Sequence, residues 1–207
     1  MGHMSTDPRP SPLPLTERQE ARRRGILDAS TRLACGGGFD AVQMREVAES
    51  SGVALGTLYR YFPSKIHLLV ATMDDQLQQL HAALRKRPPA ATAPSERVAE
   101  TLLRAYRALQ REPLLADAMV RAMIFADRSV SGQVDAVSRL TTTIILDAMG
   151  PDAAGGTAGA GRTSAVRVIE HTWHAALVTW LSGRATVDQV TEDIRTACRL
   201  LDQPTPA

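Results

Sequence analysis

Apolar residues along this chain recur at three- and four-residue spacing, the period of a helix with one buried face, and no convincing stretch alternates with the two-residue period of a strand. Ile26, Leu27, Ser30 and Leu33 mark a first helix from about Glu17 to Ala34. Thr16 and Gln19 open it in the arrangement of a capping box. Gly36, Gly37 and Gly38 end it, with Phe39 returning to the core. Met44, Val47 and Ala48 face inward on a short second helix, Val42 to Ser51. A turn at Ser51, Gly52 and Val53 leads to a third helix, Ala54 to Tyr61, which Pro63 stops. Ser64 is placed to cap a long fourth helix, Lys65 to Arg87.

Proline and glycine divide the remainder of the chain. Pro88, Pro89 and Pro94 form one break, beyond which the periodicity predicts helices at Ser95 to Arg111, Pro113 to Asp127, Gly132 to Met149, Thr163 to Gly183 and Val187 to Leu201. A second break, Gly150 to Gly161, is mostly glycine and alanine and reads as a disordered linker. At the other end, residues 1–15 contain Pro8, Pro10, Pro12 and Pro14, which sustain neither helix nor ladder. They read as a disordered arm that opens on a cloning remnant, Met1-Gly2-His3-Met4.

The composition agrees with helices. Of 207 residues, 44% are hydrophobic, 22% charged and only 4% aromatic, which excludes wholesale disorder and fibrous repeats. The net charge of +2 gains meaning once it is divided: residues 1–65 carry nine Arg or Lys against seven Asp or Glu, while residues 66–207 carry fifteen of each. Two cysteines, Cys35 and Cys198, in a chain of this size point to a reducing, cytoplasmic compartment. No apolar run reaches the ~18 residues of a membrane span. Asparagine is absent, which removes the amide most often used to read adenine.

Two short helices joined by a glycine turn after a longer first helix form a helix-turn-helix pattern. Gly52 permits the turn, Ala48 is small where the helices cross, and Val53, Leu58 and Phe62 pack inward. The outward face then carries Leu55, Gly56, Thr57, Tyr59, Arg60 and Tyr61, with Gln43 and Arg45 at the start of the bracing helix. Arg45 can grip guanine with two hydrogen bonds, and Gln43 can pair with adenine. Thr57, Tyr59, Tyr61 and Lys65 suit phosphate oxygens, Leu55 and the Tyr59 ring suit thymine methyls, and Gly56 lets backbone approach backbone. An ordinary helical hairpin with a solvated face satisfies the same pattern.

The string Gly56-Thr57-Leu58-Tyr59-Arg60-Tyr61-Phe62-Pro63-Ser64-Lys65 decides between them, because it resembles the signature of the TetR family of bacterial repressors. Gln43 departs from the pattern, since many members carry Thr there. The resemblance implies an all-α chain: an N-terminal three-helix helix-turn-helix DNA-binding domain, residues 16–64, joined to a C-terminal helical ligand-binding and dimerisation domain, residues 65–207. It also implies a homodimer on a palindromic double-stranded DNA operator. A narrower resemblance reaches the branch that represses cholesterol catabolism in actinobacteria. It rests on Ala41-Val42-Gln43-Met44-Arg45, His67-Leu68-Leu69-Val70, Pro113-Leu114-Leu115, Met119, Arg121, Ala122 and Phe125-Ala126-Asp127. That branch implies a hydrophobic effector, a steroid-derived acyl-CoA thioester, with Arg104, Arg107 and Arg121 near its phosphates.

In the body, Leu103, Tyr106, Met119, Met123, Phe125, Trp173 and Leu177 are candidate pocket walls, since flexible Met side chains adapt to bulky apolar ligands. Met and Trp at helical spacing also pack as plain core. Trp180, Val187, Val190, Ile194 and Leu201 are the candidate dimer contacts, on two helices suited to a four-helix interface. His171 and His174 lack a third metal ligand at useful spacing and read as structural or pocket-lining. Cys35 reads as small filler, with a redox-sensing thiol as the alternative. No catalytic motif and no cofactor fingerprint is visible. Two other functions fit parts of the pattern: a small helical acyl-CoA-binding protein or enzyme, and a drug-efflux regulator that holds cations through Asp117 or Glu170.

Overall fold

The structure, a computed structural model, describes residues 16–150 and 160–202. The expected N-terminal arm and most of the glycine-rich linker lie outside the described residues. Nine α-helices are present among the described residues: α1 (Glu17–Ala41), α2 (Met44–Ser51), α3 (Leu55–Tyr61), α4 (Lys65–Lys86), α5 (Pro94–Arg111), α6 (Pro113–Phe125), α7 (Ser131–Met149), α8 (Ala160–Leu181) and α9 (Val187–Cys198). Short 3-10 turns at Arg128–Val130 and Arg199–Asp202 come after α6 and α9.

The capping box at Thr16 forms as expected, with the Thr16 N–H donating to Gln19 Oε1 at 2.8 Å and the Gln19 N–H to Thr16 Oγ1 at 3.3 Å. The glycine triplet kinks α1 instead of ending it. Gly37 leaves helical geometry at φ −157°, Gly38 turns left-handed at φ 67°, and one more turn carries the chain to Ala41. A side chain at position 37 would meet Ala41 Cβ at 2.6 Å, so the kink requires glycine there. α2 begins at Met44, two residues later than predicted. Val42 turns into the core, fully buried, and Gln43 is extended as the residue before the helix.

Two hydrophobic clusters organise the molecule. The first joins Ile26, Val47, Leu58, Phe62 and Leu68 of the head to Leu115, Met119 and Ala122 of α6 and Val137 of α7. The second joins Val98, Leu102 and Tyr106 of α5 to Ile145 of α7, Ile169, Trp173 and Leu177 of α8, and Val190 and Ile194 of α9. The head therefore shares one continuous core with α6, and the C-terminal part of α1 lies against α6. Helix α4 crosses both regions: Leu68, Leu69 and Val70 belong to the head's core, while Leu80 packs on the second cluster.

Candidate nucleic-acid interface and effector cavities

The turn between α2 and α3 is set by Gly52, left-handed at φ 67°, whose N–H reaches the carbonyls of Ala48 and Glu49. The Val53 N–H adds a bond to the Ala48 carbonyl at 3.0 Å. Below the turn Val47, Ala48, Leu58 and Phe62 are buried. Above it α3 presents Leu55, 37% exposed, and Tyr59, 46% exposed, with Gly56 and Arg60 also exposed. A Cβ added at Gly56 would meet nothing within 4 Å, so packing inside the chain does not call for glycine there.

Other head residues are partly engaged. Arg45 is exposed on α2, but the Gln43 amide turns back and donates to the Asp40 carbonyl at 2.8 Å. Thr57 and Tyr61 are half-buried, and the Tyr61 hydroxyl donates to the Gln19 carbonyl at 3.4 Å. Lys65 is half-buried with Nζ 3.9 Å from the centre of the Phe39 ring. Its burial lowers its pKa, an effect opposed by the nearby Asp40 carboxylate and reinforced by Arg121. Arg121 of α6 lies 4.5 Å from the centre of the same ring and pairs with Asp40 at 3.6 Å and Asp117 at 3.7 Å. This cation–π sandwich ties the end of α1 and the start of α4 to α6.

Among the described residues, three of the spaces in the body bear on the expected pocket residues. An apolar cavity of about 150 Å³ lies between α4, α5, α6 and α8 and is lined by Leu77, Leu80, Met119, Trp173 and Leu177 among others. A more open hollow of about 440 Å³ is lined by Met73, Val120, Met123, Ser138, His171 and His174 among others. A cleft of about 510 Å³ on the other side of α5 holds Leu103, Arg107, Arg195 and Arg199 beside Glu96, Glu100 and Asp202.

Comparison with known proteins agrees with this architecture. Residues 26–72 match the family model described as bacterial regulatory proteins, tetR family, and residues 91–201 match a tetracyclin repressor-like C-terminal domain. This chain belongs to the TetR family. Among its relatives is the HTH-type transcriptional repressor KstR of Mycolicibacterium smegmatis, 41% identical over 90% of this chain and 89% of that protein. A TetR transcriptional regulator from Rhodococcus sp. RHA1 shares 37% identity and a TM-score of 0.81, over 89% of this chain and 97% of that one. The fold is also that of Thermus thermophilus FadR, solved with lauroyl-CoA, at 19% identity and a TM-score of 0.68 over 89% of this chain and 98% of that one. TetR proteins are DNA-binding regulators, so this chain is not an enzyme.

With that TetR architecture in place, the expected pocket residues separate into several groups. Met119, Trp173 and Leu177 meet in the apolar cavity, and Met123 lines the neighbouring hollow. Leu103 faces the cleft behind α5 instead. Tyr106 is buried edge-on against Trp180, ring centres 5.2 Å apart, because its position on α5 points into the second core. Phe125 is 56% exposed and packs tilted against Phe39, ring centres 5.8 Å apart, where the end of α6 reaches the head. The arginines expected near phosphates also divide: Arg104 bonds Glu100 and the Arg87 carbonyl, Arg121 is held in the Phe39 sandwich, and Arg107 lies in the cleft.

Of the expected dimer contacts, Val190 and Ile194 face the core of their own chain. Val190 is 0% and Ile194 1% exposed, because α9 turns that stripe onto α5 and α8 of its own chain. Trp180 and Leu201 are partly buried on the same core, and Val187 is exposed. Among the described side chains of α8, those left outward are Thr163, Arg167, Val168, His171 and Ala175. The two acids considered for a cation ligand are both engaged, Asp117 with Arg121 and Glu170 with the Thr142 hydroxyl.

Among the described residues no three His, Cys, Asp or Glu side chains are grouped to hold a metal. Among the described residues no helix is long and apolar enough to cross a membrane. Both cysteines are free thiols. Burial pushes Cys198 up to about 12, with Asp202 adding to it, and burial together with Glu112 raises Cys35. Residue-by-residue reasoning passed over one group in the head: Arg18, Arg22, Arg23 and Arg24 on the opening turns of α1. The Tyr61 contact with Gln19 brings that segment beside the end of α3. The charge excess of the first third was the available signal.

Proposed function

We propose that this chain is a dimeric repressor that releases its operator when an amphipathic, largely apolar effector of the acyl-CoA class enters the body. The observation that carries this reading is the position of α6. One side of it lines both the apolar cavity and the hollow, through Met119, Val120 and Met123, while Arg121 grips Phe39 and Asp40 at the foot of the head. An effector that displaces α6 therefore acts directly on the contact that orients α1 and α4.

Leu55, Gly56, Tyr59 and Arg60 meet the major groove, with Arg45 on the flank, and Tyr61, Thr57 and Lys65 chiefly hold the head's shape. The free side of Gly56 gives room for the DNA backbone. Val168 and Ala175 of α8, with Val187 of α9, form the face that pairs with a second copy. A two-fold dimer then sets its recognition helices about 34 Å apart, matching a pseudo-palindrome. Similarity to KstR over nine-tenths of the chain supports a steroid-derived thioester and control of steroid or lipid degradation genes. The acyl-CoA held by the same fold in Thermus thermophilus FadR is compatible with it. The engagement of Asp117 and Glu170 disfavours a cationic drug as the signal.

Fluorescence anisotropy on the promoter fragment upstream of the chain's own gene tests this. Expected are a steep loss of affinity with salt, from phosphate neutralisation, and a further loss of about 100-fold, ~2.7 kcal/mol, when a steroid acyl-CoA is added. Binding that does not distinguish the fragment from scrambled duplex rejects the proposal.

A further inference from the structure

We propose that the apolar cavity and the histidine-lined hollow are two lobes of one effector site, with Met73 as the movable partition between them. This rests on the reading of an effector-released repressor and adds the internal plan of its site. Met73 lines both spaces. Adjacent residues of two helices divide between them in the same way: Met119 and Val120 on α6, and Trp173 and His174 on α8.

The sizes require a joined site. The inner lobe, about 150 Å³, matches a cavity that takes a single benzene ring, whereas pockets for larger ligands run to roughly 300–1,000 Å³ and bury most of the ligand surface. The outer hollow, about 440 Å³, has the volume but is too open to exclude water by itself. Met73 is 7% exposed and has an unbranched thioether with three rotatable bonds, which lets it swing where a β-branched residue would be fixed.

The lobes also differ in chemistry. The inner walls are mostly hydrocarbon, while the outer lobe offers the Ser138 hydroxyl and two imidazoles. His174 Nδ1–H donates to the Glu170 carbonyl at 2.8 Å, which leaves Nε2 as the nitrogen free to meet a ligand and, in the neutral tautomer, the one that carries the lone pair. A ligand N–H or O–H that meets that lone pair donates a hydrogen bond to it. The site therefore suits a molecule whose apolar body passes Met73 into the inner lobe and whose amide- or hydroxyl-bearing arm stays at His174 and Ser138. The pantetheine arm of an acyl-CoA thioester carries amide N–H groups of this kind.

Calorimetric titration of the full chain without DNA tests the plan, using benzene to report the inner lobe alone and cholanoyl-CoA to report the joined site. Met73→Ile, close in volume but stiff, is expected to weaken cholanoyl-CoA at least tenfold and to leave benzene within twofold. Met73→Ala, which removes the partition, is expected to keep or tighten the thioester, and it carries the test if the isoleucine variant does not fold. His174→Phe is expected to cost the thioester about tenfold, with recovery in His174→Gln, whose amide oxygen accepts. Thioester affinities within twofold of the parent in both Met73→Ile and His174→Phe overturn the proposal, as does a protein that holds its operator yet takes no cholanoyl-CoA. A protein that binds the thioester with these variant effects but no operator supports the two-lobe site and rejects the repressor reading instead.

Discussion

The head and the body are built from similar helices but are packed to different standards. In the head the buried polar groups find partners: the Thr72 hydroxyl donates within reach of Ser30 Oγ at 3.0 Å and the Leu68 carbonyl at 2.9 Å, and His67 bridges Ser64 and the Ser129 carbonyl. The body holds both buried hydroxyls that lack a partner among the described residues, on Thr101 and Tyr106, together with the cavities around α8. A reader of DNA must hold its helices rigidly, since a small displacement loses register. A sensor needs space and a low cost of rearrangement, so incomplete packing is what its task requires.

The largest effect expected from breaking this contrast lies under the recognition helix. Leu58→Ala, at a fully buried position, should cost about 2–5 kcal/mol in denaturant unfolding and abolish operator binding. On the surface of the same helix, Tyr59→Ala and Arg60→Ala should each weaken operator binding about 10- to 100-fold, the range of ~1–3 kcal/mol per contact. Their melting temperatures should stay at the parent value. At the joint, Arg121→Ala removes the contact to Phe39 and Asp40. It should leave effector affinity near the parent value and shrink the effector-driven loss of operator affinity several-fold, as titrations of each ligand in the presence of the other will measure.

Smaller effects probe the body. Cys198 is raised from its ordinary 9.0 to about 12, so its contribution to stability is intact below pH 9 and is lost as pH rises toward 12. Alkylation at pH 8 should accordingly modify Cys198 only after unfolding. The smallest change is expected of Tyr106→Phe, which deletes a buried hydroxyl that has no partner. Thermal unfolding should move by no more than about 0.5 kcal/mol and in the stabilising direction. A clear loss would mean that the hydroxyl is satisfied after all.

The head was legible because its constraints are local. Gly52 at the turn, Thr16 and Ser64 as caps, and the inward set Val47, Leu58 and Phe62 each depend on neighbours a few residues away, and the structure keeps all of them. Gln43 escaped this reasoning because its partner, the Asp40 carbonyl, becomes available only once the glycine kink has bent the end of α1. Lys65 escaped it because Phe39 and Arg121 come from distant segments. In the body, helical period identified which stripes of α5, α6, α8 and α9 are apolar but not what each stripe faces. A buried stripe, a cavity wall and a subunit contact have the same composition, so Val190, Tyr106 and Phe125 carried no mark of their separate places.

The order of helices, the caps at Thr16 and Ser64, the turn at Gly52, the family and the exposed Leu55, Gly56, Tyr59 and Arg60 of α3 are properties of the amino-acid sequence alone, since each depends on short-range geometry or on a contiguous motif. Which apolar residues enclose space, which arginines are already paired and how α6 links cavity to head emerged only from the tertiary structure. The physical reason is that burial and pairing depend on the relative rotation of helices far apart in the chain, and the period of one helix leaves the identity of its neighbour open.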